Sequence, residues 1–210
     1  DDYAAFLLPP VLARFGEAHP LVTVEMICEP SVQLVRAVDE GRLDLAITMR
    51  VPDRSMEFLR RERLVWVASP HHVPWQNDPL PIALFAPGCI VRTEVLRALG
   101  QADRAYRCTY SSPSLLGLLA VVQAGLAVTG LALCSVPSNL RIIGEAEGLP
   151  TLADAEVGIF RSPGAMDSAV KCLDGFLRRE LTVERDRSLA AEASVPLSSL
   201  ESARLPSGLN

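Results

Sequence analysis

Two arginines stand in matching places along the chain and would together suit a carboxylate ligand. Arg50 follows the strand-like run LDLAIT (43–48), and Arg92 ends the run CIVR (89–92). A planar guanidinium binds a carboxylate through two hydrogen bonds, so one arginine from each side of a cleft would hold a small anion. Because arginine is usually exposed, the alternative is that both are solvated surface charges.

Hydroxyl side chains at predicted helix starts form a second set of candidate contacts. Ser31, Thr93 and Ser112 each precede a helical pattern, and Ser111 lies beside Ser112. A helix N-terminus favours negative charge, so these hydroxyls and the neighbouring amides suit an anionic ligand. The simpler alternative is plain helix capping. Thr129 follows an apolar helical run, where it is either a cleft residue or an ordinary strand residue of the core.

The chain shows no catalytic or cofactor motif. It contains no G-x-S-x-G, no P-loop and no H-E-x-x-H sequence. Its three histidines have no spacing to carboxylates or cysteines that suits a metal ion. We therefore predict no enzymatic activity, no cofactor and no metal site.

Cysteine usage and charge restrict the class of protein further. The five cysteines include no CxxC pair, which favours reduced, buried thiols in a cytoplasmic protein, with a peroxide-sensing pair as the alternative. The net charge of −5 disfavours direct binding of this chain to DNA. No run reaches the roughly 18 apolar residues of a membrane span.

Helices and strands alternate in the first part of the chain, which opens on a helix. Because no strand precedes that helix, we expect a first strand and further N-terminal chain to be missing, so that this is the C-terminal module of a longer protein. Pro9 and Pro10 fit the first turn of the opening helix, and Gly41 ends the next one. The predicted elements are a helix followed by a turn over 2–20, a strand over 22–26, a helix over 32–40, and strands over 43–48 and 63–69.

The second part of the chain continues the alternation. Pro113 suits the first position of a helix capped by Ser112 and ended by Gly125. Residues 182–210 lack periodicity and are predicted to be disordered. The predicted elements are strands over 82–86 and 89–92, a helix over 93–99, a strand over 105–110, a helix over 113–124, strands over 126–133 and 156–161, and a helix over 167–181.

This order predicts an α/β fold of two Rossmann-like lobes joined by two crossing strands. The first lobe would comprise residues 1–66 and 160–181, and the second lobe residues 67–159. Each crossing strand would act as a hinge. A ligand would bind in the cleft between the lobes, where helix N-termini and strand ends meet.

Three stretches resemble the effector-binding domain of LysR-type transcriptional regulators. They are FLLPPVLARFGEAHPLVTVEM (6–26), EGRLDLAIT (40–48) and VQAGLAVTGLA (122–132), and they occur in the family's order and spacing. The resemblance covers about residues 2–181. The segment 125–150 looks like the branch that contains LrhA and HexA. The chain departs from the family pattern at Ala127, where a glycine is usual, and in lacking a proline after the strand at 131–132.

The resemblance implies the fold of type 2 periplasmic binding proteins, with no cofactor. It also implies a homodimer or homotetramer in the cytoplasm, and a winged helix-turn-helix, outside this chain, that binds DNA. A small-molecule effector, with an anion favoured, would bind between the lobes. The predicted effector contacts are Ser31, Met49, Arg50, Ser69, Arg92, Thr93, Ser111, Ser112, Thr129 and Gly130.

The resemblance further implies a dimer contact in which the first helix and the strand after it pack against the last helix of a partner. The apolar side chains available for this contact are Leu8, Val11, Leu12, Phe15, Leu173, Phe176 and Leu177. The alternative is that these side chains dock onto the sheet of their own chain.

Two other functions fit a bilobed fold. An extracytoplasmic solute receptor of a transporter is disfavoured by the unpaired cysteines. An enzyme is disfavoured because no catalytic set emerges from the sequence.

Overall fold

Two helices, rather than one, open the part of the chain that this computed structural model describes, residues 2–164 and 167–182. Helix α1 (Asp2–Phe6) ends before helix α2 (Pro9–Ala18) begins. Pro9 and Pro10 occupy the first turn of α2, as predicted. Prolines lack the N–H that would continue the hydrogen bonds of a preceding helix, so α1 stops where α2 starts.

The first lobe is built on a three-stranded sheet with helices on both faces. Helices α2 and α6 pack on one face, where Val11, Ile159 and Leu177 are buried together. Helix α3 packs on the other face with Val35, Ala46 and Phe160. The elements are β1 (Leu45–Met49), β8 (Ala155–Arg161) and β2 (Glu57–Glu62), in that order across the sheet with β8 antiparallel to both neighbours, and helices α3 (Ser31–Asp39) and α6 (Ser168–Leu181).

The second lobe contains the remaining strands. An isolated bridge between Ile82 and Val128 connects its two sheets, which gives the order β5-β4-β6-β3-β7. Strands β4 and β5 are parallel, and β3 is antiparallel to β6 and β7. The elements are β3 (Leu64–Ala68), β4 (Leu80–Phe85), α4 (Ile90–Gln101), β5 (Tyr106–Ser112), α5 (Leu115–Gln123), β6 (Thr129–Ala132) and β7 (Arg141–Ile143).

The chain crosses between the lobes outside its strands. Strand β3 pairs with β6 and β7 of the second lobe, and β8 pairs with β1 and β2 of the first. The first crossing is therefore at Arg63, between β2 and β3, and the return lies between β7 and β8. The predicted boundaries at 66/67 and 159/160 are wrong, because they cut through paired strands.

Two predicted strands are also wrong. Residues 22–26 are exposed and belong to no strand. Residues 89–92 lead into α4 instead, because Gly88, at φ 91°, turns the chain, and the apolar residues that follow recur at helical spacing. Strand β2 was missed, because its sequence EFLRRE is mostly charged and buries only Leu59 and Glu62.

The packing of α2 against α6 corrects three of the predicted dimer contacts. Val11, Phe15 and Leu177 are each less than 5% exposed inside their own lobe. Phe15 meets the ring of Phe176 edge to face, with 5.7 Å between ring centres. A side chain already buried in its own core cannot bind a partner, so the alternative of docking onto their own lobe holds for these three. The other four, Leu8, Leu12, Leu173 and Phe176, are half-buried.

The last described helix begins as the sequence predicts. Asp167 caps α6, its Oδ1 accepting a hydrogen bond of 2.8 Å from the amide of Val170. Of the predicted disordered tail, 182–210, only Thr182 is described, as the C-cap of α6, and the rest lies outside the described residues. Among the helices that are described, none is long and apolar enough to cross a membrane.

Candidate functional site

A cavity of about 500 Å³ is lined by residues of both lobes. Its lining residues fall into two groups. Residues 24–29 and most of β1 belong to the first lobe, as do several leucines of the neighbouring helices. The second group contains residues of both lobes and is called the inter-lobe end below. It consists of Ser31, Thr48 and Met49 of the first lobe and of Phe85, Ala86, Cys89, Pro113 and Ser114 of the second.

Three helices begin at the inter-lobe end. Helices α3, α4 and α5 follow Pro30, Cys89 and Ser114, and all three of these residues line the cavity. Ser31 is the first residue of α3 rather than its cap, and the side chain at the cap position makes no capping hydrogen bond. Helix N-termini carry partial positive charge and present amide donors. The inter-lobe end therefore suits a ligand group that accepts hydrogen bonds.

The polar side chains of this end are neutral. Thr48 is buried, and its hydroxyl donates a hydrogen bond of 2.8 Å to the carbonyl oxygen of Met49. Burial raises the pKa of the Cys89 thiol, and the backbone amides of Arg92 and Val91 offset this only in part. A thiol with a raised pKa stays protonated near neutral pH, so Cys89 contributes no negative charge.

Neither arginine of the predicted pair lines the cavity. The Arg50 side chain forms an ion pair with Glu156 on the neighbouring strand β8. Arg92 lies within α4, and its Nη1 donates a hydrogen bond of 2.8 Å to the carbonyl oxygen of Phe85. The structure therefore does not form the predicted two-arginine clamp. Arg92 is not at the cavity because α4 begins at Ile90, so that residues 90–92 are helical and do not form a strand end.

Comparison with known protein families decides which family the chain represents. The family model of the LysR substrate binding domain matches residues 1–182. The chain belongs to this family. Both the resemblance predicted from the sequence and the fold class are confirmed.

Individual relatives agree with this assignment of the LysR domain. This chain is 38% identical over 154 residues to the HTH-type transcriptional regulator DgdR of Burkholderia cepacia, and the match covers 72% of this chain and 52% of that protein. The chain spans about half the length of the curated relatives it matches.

Solved structures share the fold of the LysR domain. The regulatory domain of CcmR from Synechocystis PCC6803, in complex with 2-PG, superposes with a TM-score of 0.69 at 16% identity, covering 86% of this chain and 94% of that one. The effector binding domain of QuiR, in complex with shikimate, gives 0.67 at 13% identity, covering 86% and 92%.

Of the ten predicted effector contacts, the structure brings Ser31 and Met49 to the cavity. Three others support the core of the LysR domain. Ser69 is buried and hydrogen-bonds His72 at 3.1 Å. The Thr129 hydroxyl donates a hydrogen bond of 2.7 Å to the carbonyl oxygen of Ala83. Gly130 faces α4 so closely that a Cβ there would lie 2.4 Å from a methyl group of Val95.

The predicted hydroxyl contacts of the second lobe lie beside the cavity rather than in it. Thr93 is exposed on α4, and its hydroxyl donates a hydrogen bond of 3.2 Å to the carbonyl oxygen of Cys89. Ser111 is exposed, and the Ser112 hydroxyl accepts a hydrogen bond of 3.1 Å from the amide of Ser114. Because α5 starts later than predicted, Ser114 replaces Ser112 at the cavity.

Sequence reasoning missed several lining residues for a common reason. Thr48 and Phe85 lie at the ends of strands, and Cys89 and Ser114 immediately precede helices. The signals were present as strand-to-helix transitions, but each boundary was misplaced by one to three residues. A boundary error of this size changes which side chain faces a cleft.

Among the five cysteines of the LysR domain, Cys134 should react most slowly with alkylating reagents. Burial and the nearby Glu62 raise the pKa of its thiol to about 12. Cys28 and Cys108 are exposed. We expect iodoacetamide at pH 8 to label Cys28 and Cys108 quickly and Cys134 only after denaturation, as read by peptide mass spectrometry.

The same thiol gives a pH dependence with a definite sign. The pKa of Cys134 is raised from 9.0 to about 12 in the folded chain, so its neutral form contributes fully to stability below pH 9. That contribution is lost as the pH rises toward 12. Fast labelling of folded Cys134 at pH 8 would contradict both expectations.

Proposed function

We propose that this LysR domain senses a small organic effector at the inter-lobe end of the cavity. The observation that carries the proposal is that both lobes line this end, from Ser31 and Met49 on one side to Phe85 and Ser114 on the other. A ligand held by both lobes stabilises the arrangement in which it contacts both. Only such a difference in affinity between arrangements can transmit a signal.

The proposed effector has a small apolar body and one carboxylate or similar anionic group. The walls near Met49, Phe85 and Pro113 are apolar, which suits the body of such a ligand. The three helix starts suit the anionic group. Three acidic residues also line the cavity: Glu25 and Glu29 are exposed, and Asp2 is half-buried with its Oδ1 accepting a hydrogen bond from the Tyr3 amide. Dissolved salt screens the repulsion from the exposed pair over about 8–10 Å, whereas amides at the helix starts would contact the ligand directly.

Ser31→Glu should weaken binding of a carboxylate ligand by about 10-fold or more, because it places a second negative charge at the start of α3. The variant should fold at least as well as the parent, since an acidic residue in the first turn of a helix is favourable. The measurement is calorimetric titration with a carboxylate first identified by thermal shift from a panel that includes 2-PG and shikimate.

Two controls separate charge from other effects. Ser31→Gln introduces a side chain of nearly the size of glutamate but without its charge, and this variant should retain most of the affinity. Ser111→Glu adds the same charge on an exposed residue outside the cavity, and should bind like the parent. The amide analogue of the ligand should bind more weakly than the carboxylate. Equal binding by Ser31→Glu and Ser111→Glu would place the ligand elsewhere.

For the whole protein we propose a cytoplasmic transcriptional regulator that is a homodimer or homotetramer. DNA would be bound by a winged helix-turn-helix in the part of the protein that this chain does not cover. The support is that the matched part of this chain covers only 52% of each of two curated relatives, both HTH-type transcriptional regulators. We propose no catalytic role and no cofactor. The test is a DNA-binding assay on the full-length protein with and without the effector, where an unchanged DNA affinity and contact pattern would argue against regulation.

A further inference from the structure

The charged side chains that line the cavity are all acidic. Among the described residues that line it, there is no lysine, arginine or histidine, whereas Asp2, Glu25 and Glu29 each carry a carboxylate. A ligand with a carboxylate alone would add a further negative charge to this surface. A second, positively charged group on the same ligand would offset the repulsion, because opposite charges attract strongly where water is partly excluded.

Asp2 is better placed than the two glutamates to bind such a group. It is half-buried, whereas Glu25 and Glu29 are exposed, and salt screens a charge less at a partly buried position. The Oδ1 atom of Asp2 accepts a hydrogen bond of 2.9 Å from the amide of Tyr3, which orients the carboxylate at the start of α1. A carboxylate can accept about four hydrogen bonds, so this bond is compatible with a contact to an ammonium group.

The negative charge of Asp2 acts on the second-lobe side of the inter-lobe end. Burial is the main cause of the raised pKa of the Cys89 thiol, and the charge of Asp2 raises this pKa further. Asp2 also adds to the rise in the pKa of Cys134, after the larger effects of burial and Glu62. Helix α1 contacts the 3₁₀ turn that contains Cys134. The Asp2 carboxylate therefore lies within electrostatic reach of the start of α4, where Cys89 lines the cavity.

The start of α3 provides the opposite kind of contact in the first lobe. Among the described residues, no backbone carbonyl accepts a hydrogen bond from the amide of Ser31 or Val32, and no side chain caps this helix. Amides at a helix start favour an anionic group. At the start of α4, by contrast, the amides of Val91 and Arg92 already interact with the Cys89 sulfur. A ligand carboxylate therefore fits better at α3 than at α4.

We propose that the effector is an amino acid, with its carboxylate bound at the start of α3 and its ammonium group bound by Asp2. This inference rests on the proposed function, because it names the chemical class of the ligand at the inter-lobe end. The side chain of the amino acid would contact the apolar walls at Met49 and Phe85. One charged group would bind on the first-lobe side and the other on the second-lobe side, so the ligand would hold the two lobes together.

A ligand with only one of the two charges satisfies half of this arrangement. A simple amine would leave the amides at the start of α3 without an anionic partner. A simple carboxylate would leave the half-buried charge of Asp2 without a cation in the cavity. Hydrogen bonds in which both partners are charged are roughly twice as strong as neutral ones, so each omission should weaken binding measurably.

Matched ligands that differ only in the amino group test the proposal. The pairs are alanine and propionate, leucine and 4-methylpentanoate, phenylalanine and 3-phenylpropionate, and 4-aminobutyrate and butyrate. In calorimetric titrations of the protein near neutral pH, at least one amino acid should bind about 10-fold or more tightly than its partner, because the partner lacks the charge-assisted hydrogen bond. A panel in which no amino acid binds better than its partner would overturn the proposal.

Variants of Asp2 locate the ammonium group. Asp2→Asn keeps an oxygen that can accept from the Tyr3 amide but removes the charge, so it should bind the preferred amino acid about 10-fold or more weakly. It should bind the partner without the amino group at least as tightly as the parent does. Asp2→Glu, which keeps the charge, should retain most of the preference. A preference that persists in Asp2→Asn, or that is lost in Glu29→Gln instead, would overturn the proposal.

A matched control separates this contact from a general effect of charge. Asp39→Asn removes the same charge from an exposed residue that does not line the cavity, and this variant should bind both ligands of a pair like the parent. Equal losses of amino acid affinity in Asp39→Asn and Asp2→Asn would show that the net charge of the protein, and not a contact with Asp2, sets the preference. That result would also overturn the proposal.

Failure of this proposal is distinct from failure of the proposed function. If a carboxylate without an amino group binds as tightly as its amino acid, and Ser31→Glu still weakens it, the effector site stands and only the ammonium contact fails. If no carboxylate of either kind binds, or if Ser31→Glu has no effect, the effector site fails and the ammonium contact fails with it.

Discussion

Glu62→Leu should lower the free energy of unfolding by about 3 kcal/mol, because it leaves a buried arginine without its counter-charge. The Glu62 side chain is 2% exposed, and its carboxylate lies 2.9 Å from Nη2 of Arg60, which is 14% exposed. The Oε1 atom also accepts a hydrogen bond of 3.2 Å from the amide of Cys134. The expected loss of stability is at the lower end of the range for breaking a buried ion pair, because Nε of Arg60 and Oε2 of Glu62 make no directed hydrogen bond.

A double variant shows whether the charge causes this loss. Arg60→Met together with Glu62→Leu removes both charges, so it should be more stable than Glu62→Leu alone. Chemical denaturation of the parent, of Arg60→Met and Glu62→Leu alone, and of the double variant measures the coupling. Asp39→Asn, in an exposed ion pair with Arg54, is the matched control and should change stability little. A double variant less stable than Glu62→Leu would contradict the account.

The position of this pair gives it a second consequence. Glu62 is the last residue of β2 in the first lobe, and Cys134 lies in a short 3₁₀ turn of the second lobe. The hydrogen bond between them spans the lobes beside the crossing at Arg63. Tyr3 of α1 is buried at the same junction, and burial raises the pKa of its hydroxyl well above the ordinary value. Glu62→Gln, which can keep the bond to Cys134, should therefore disturb the lobes less than Glu62→Leu.

Gly158→Ala should also lower the free energy of unfolding by about 3 kcal/mol, which is the upper end of the usual cost of adding a group to a packed core. Gly158 lies in the central strand β8, opposite Thr48 on β1 and Phe58 on β2. A Cβ at this position would lie 2.6 Å from the carbonyl oxygen of Glu57 and 2.5 Å from the sulfur of Met56. The methionine can move aside, but the backbone carbonyl cannot do so without disturbing the pairing of β2.

The control for this variant is another glycine replaced by the same residue. Gly175 lies inside α6, where an added Cβ meets nothing within 4 Å. Gly175→Ala should raise the free energy of unfolding by about 0.4–1 kcal/mol, because alanine loses less backbone entropy in a helix. Thermal and chemical denaturation of the two variants measure both effects. Equal stabilities would show that β2 relaxes around the added methyl group at Gly158.

The sequence predicted elements best where one periodicity was strong and a clear stop followed. Strands β1, β3 and β8 were predicted to within two residues of their limits, since each is a mostly apolar run. The prediction for α6 was accurate because Asp167 supplies a cap and the apolar stripe continues for the whole helix. Strand β2 was missed because a mostly charged edge strand carries no such pattern.

Candidate site residues were predicted less well than elements. The sequence predicts a clamp from Arg50 and Arg92 because both follow strand-like runs, but Arg50 pairs with Glu156 and Arg92 binds the carbonyl oxygen of Phe85. Whether an arginine faces a cleft depends on acceptors that are distant in sequence. Ser31 and Met49 do line the cavity, because the predicted helix start and strand end each lie within one residue of the observed ones.

The sequence by itself determined the family, the alternation of strands and helices, and the bilobed α/β class, because these depend on local periodicity and on ordered motifs such as EGRLDLAIT. Only the tertiary structure decided where the lobes cross, which hydroxyls line the cavity and why residues 22–26 are not a strand. A strand exists only when a neighbour pairs with it, and pairing is a long-range property that an alternating pattern cannot supply alone.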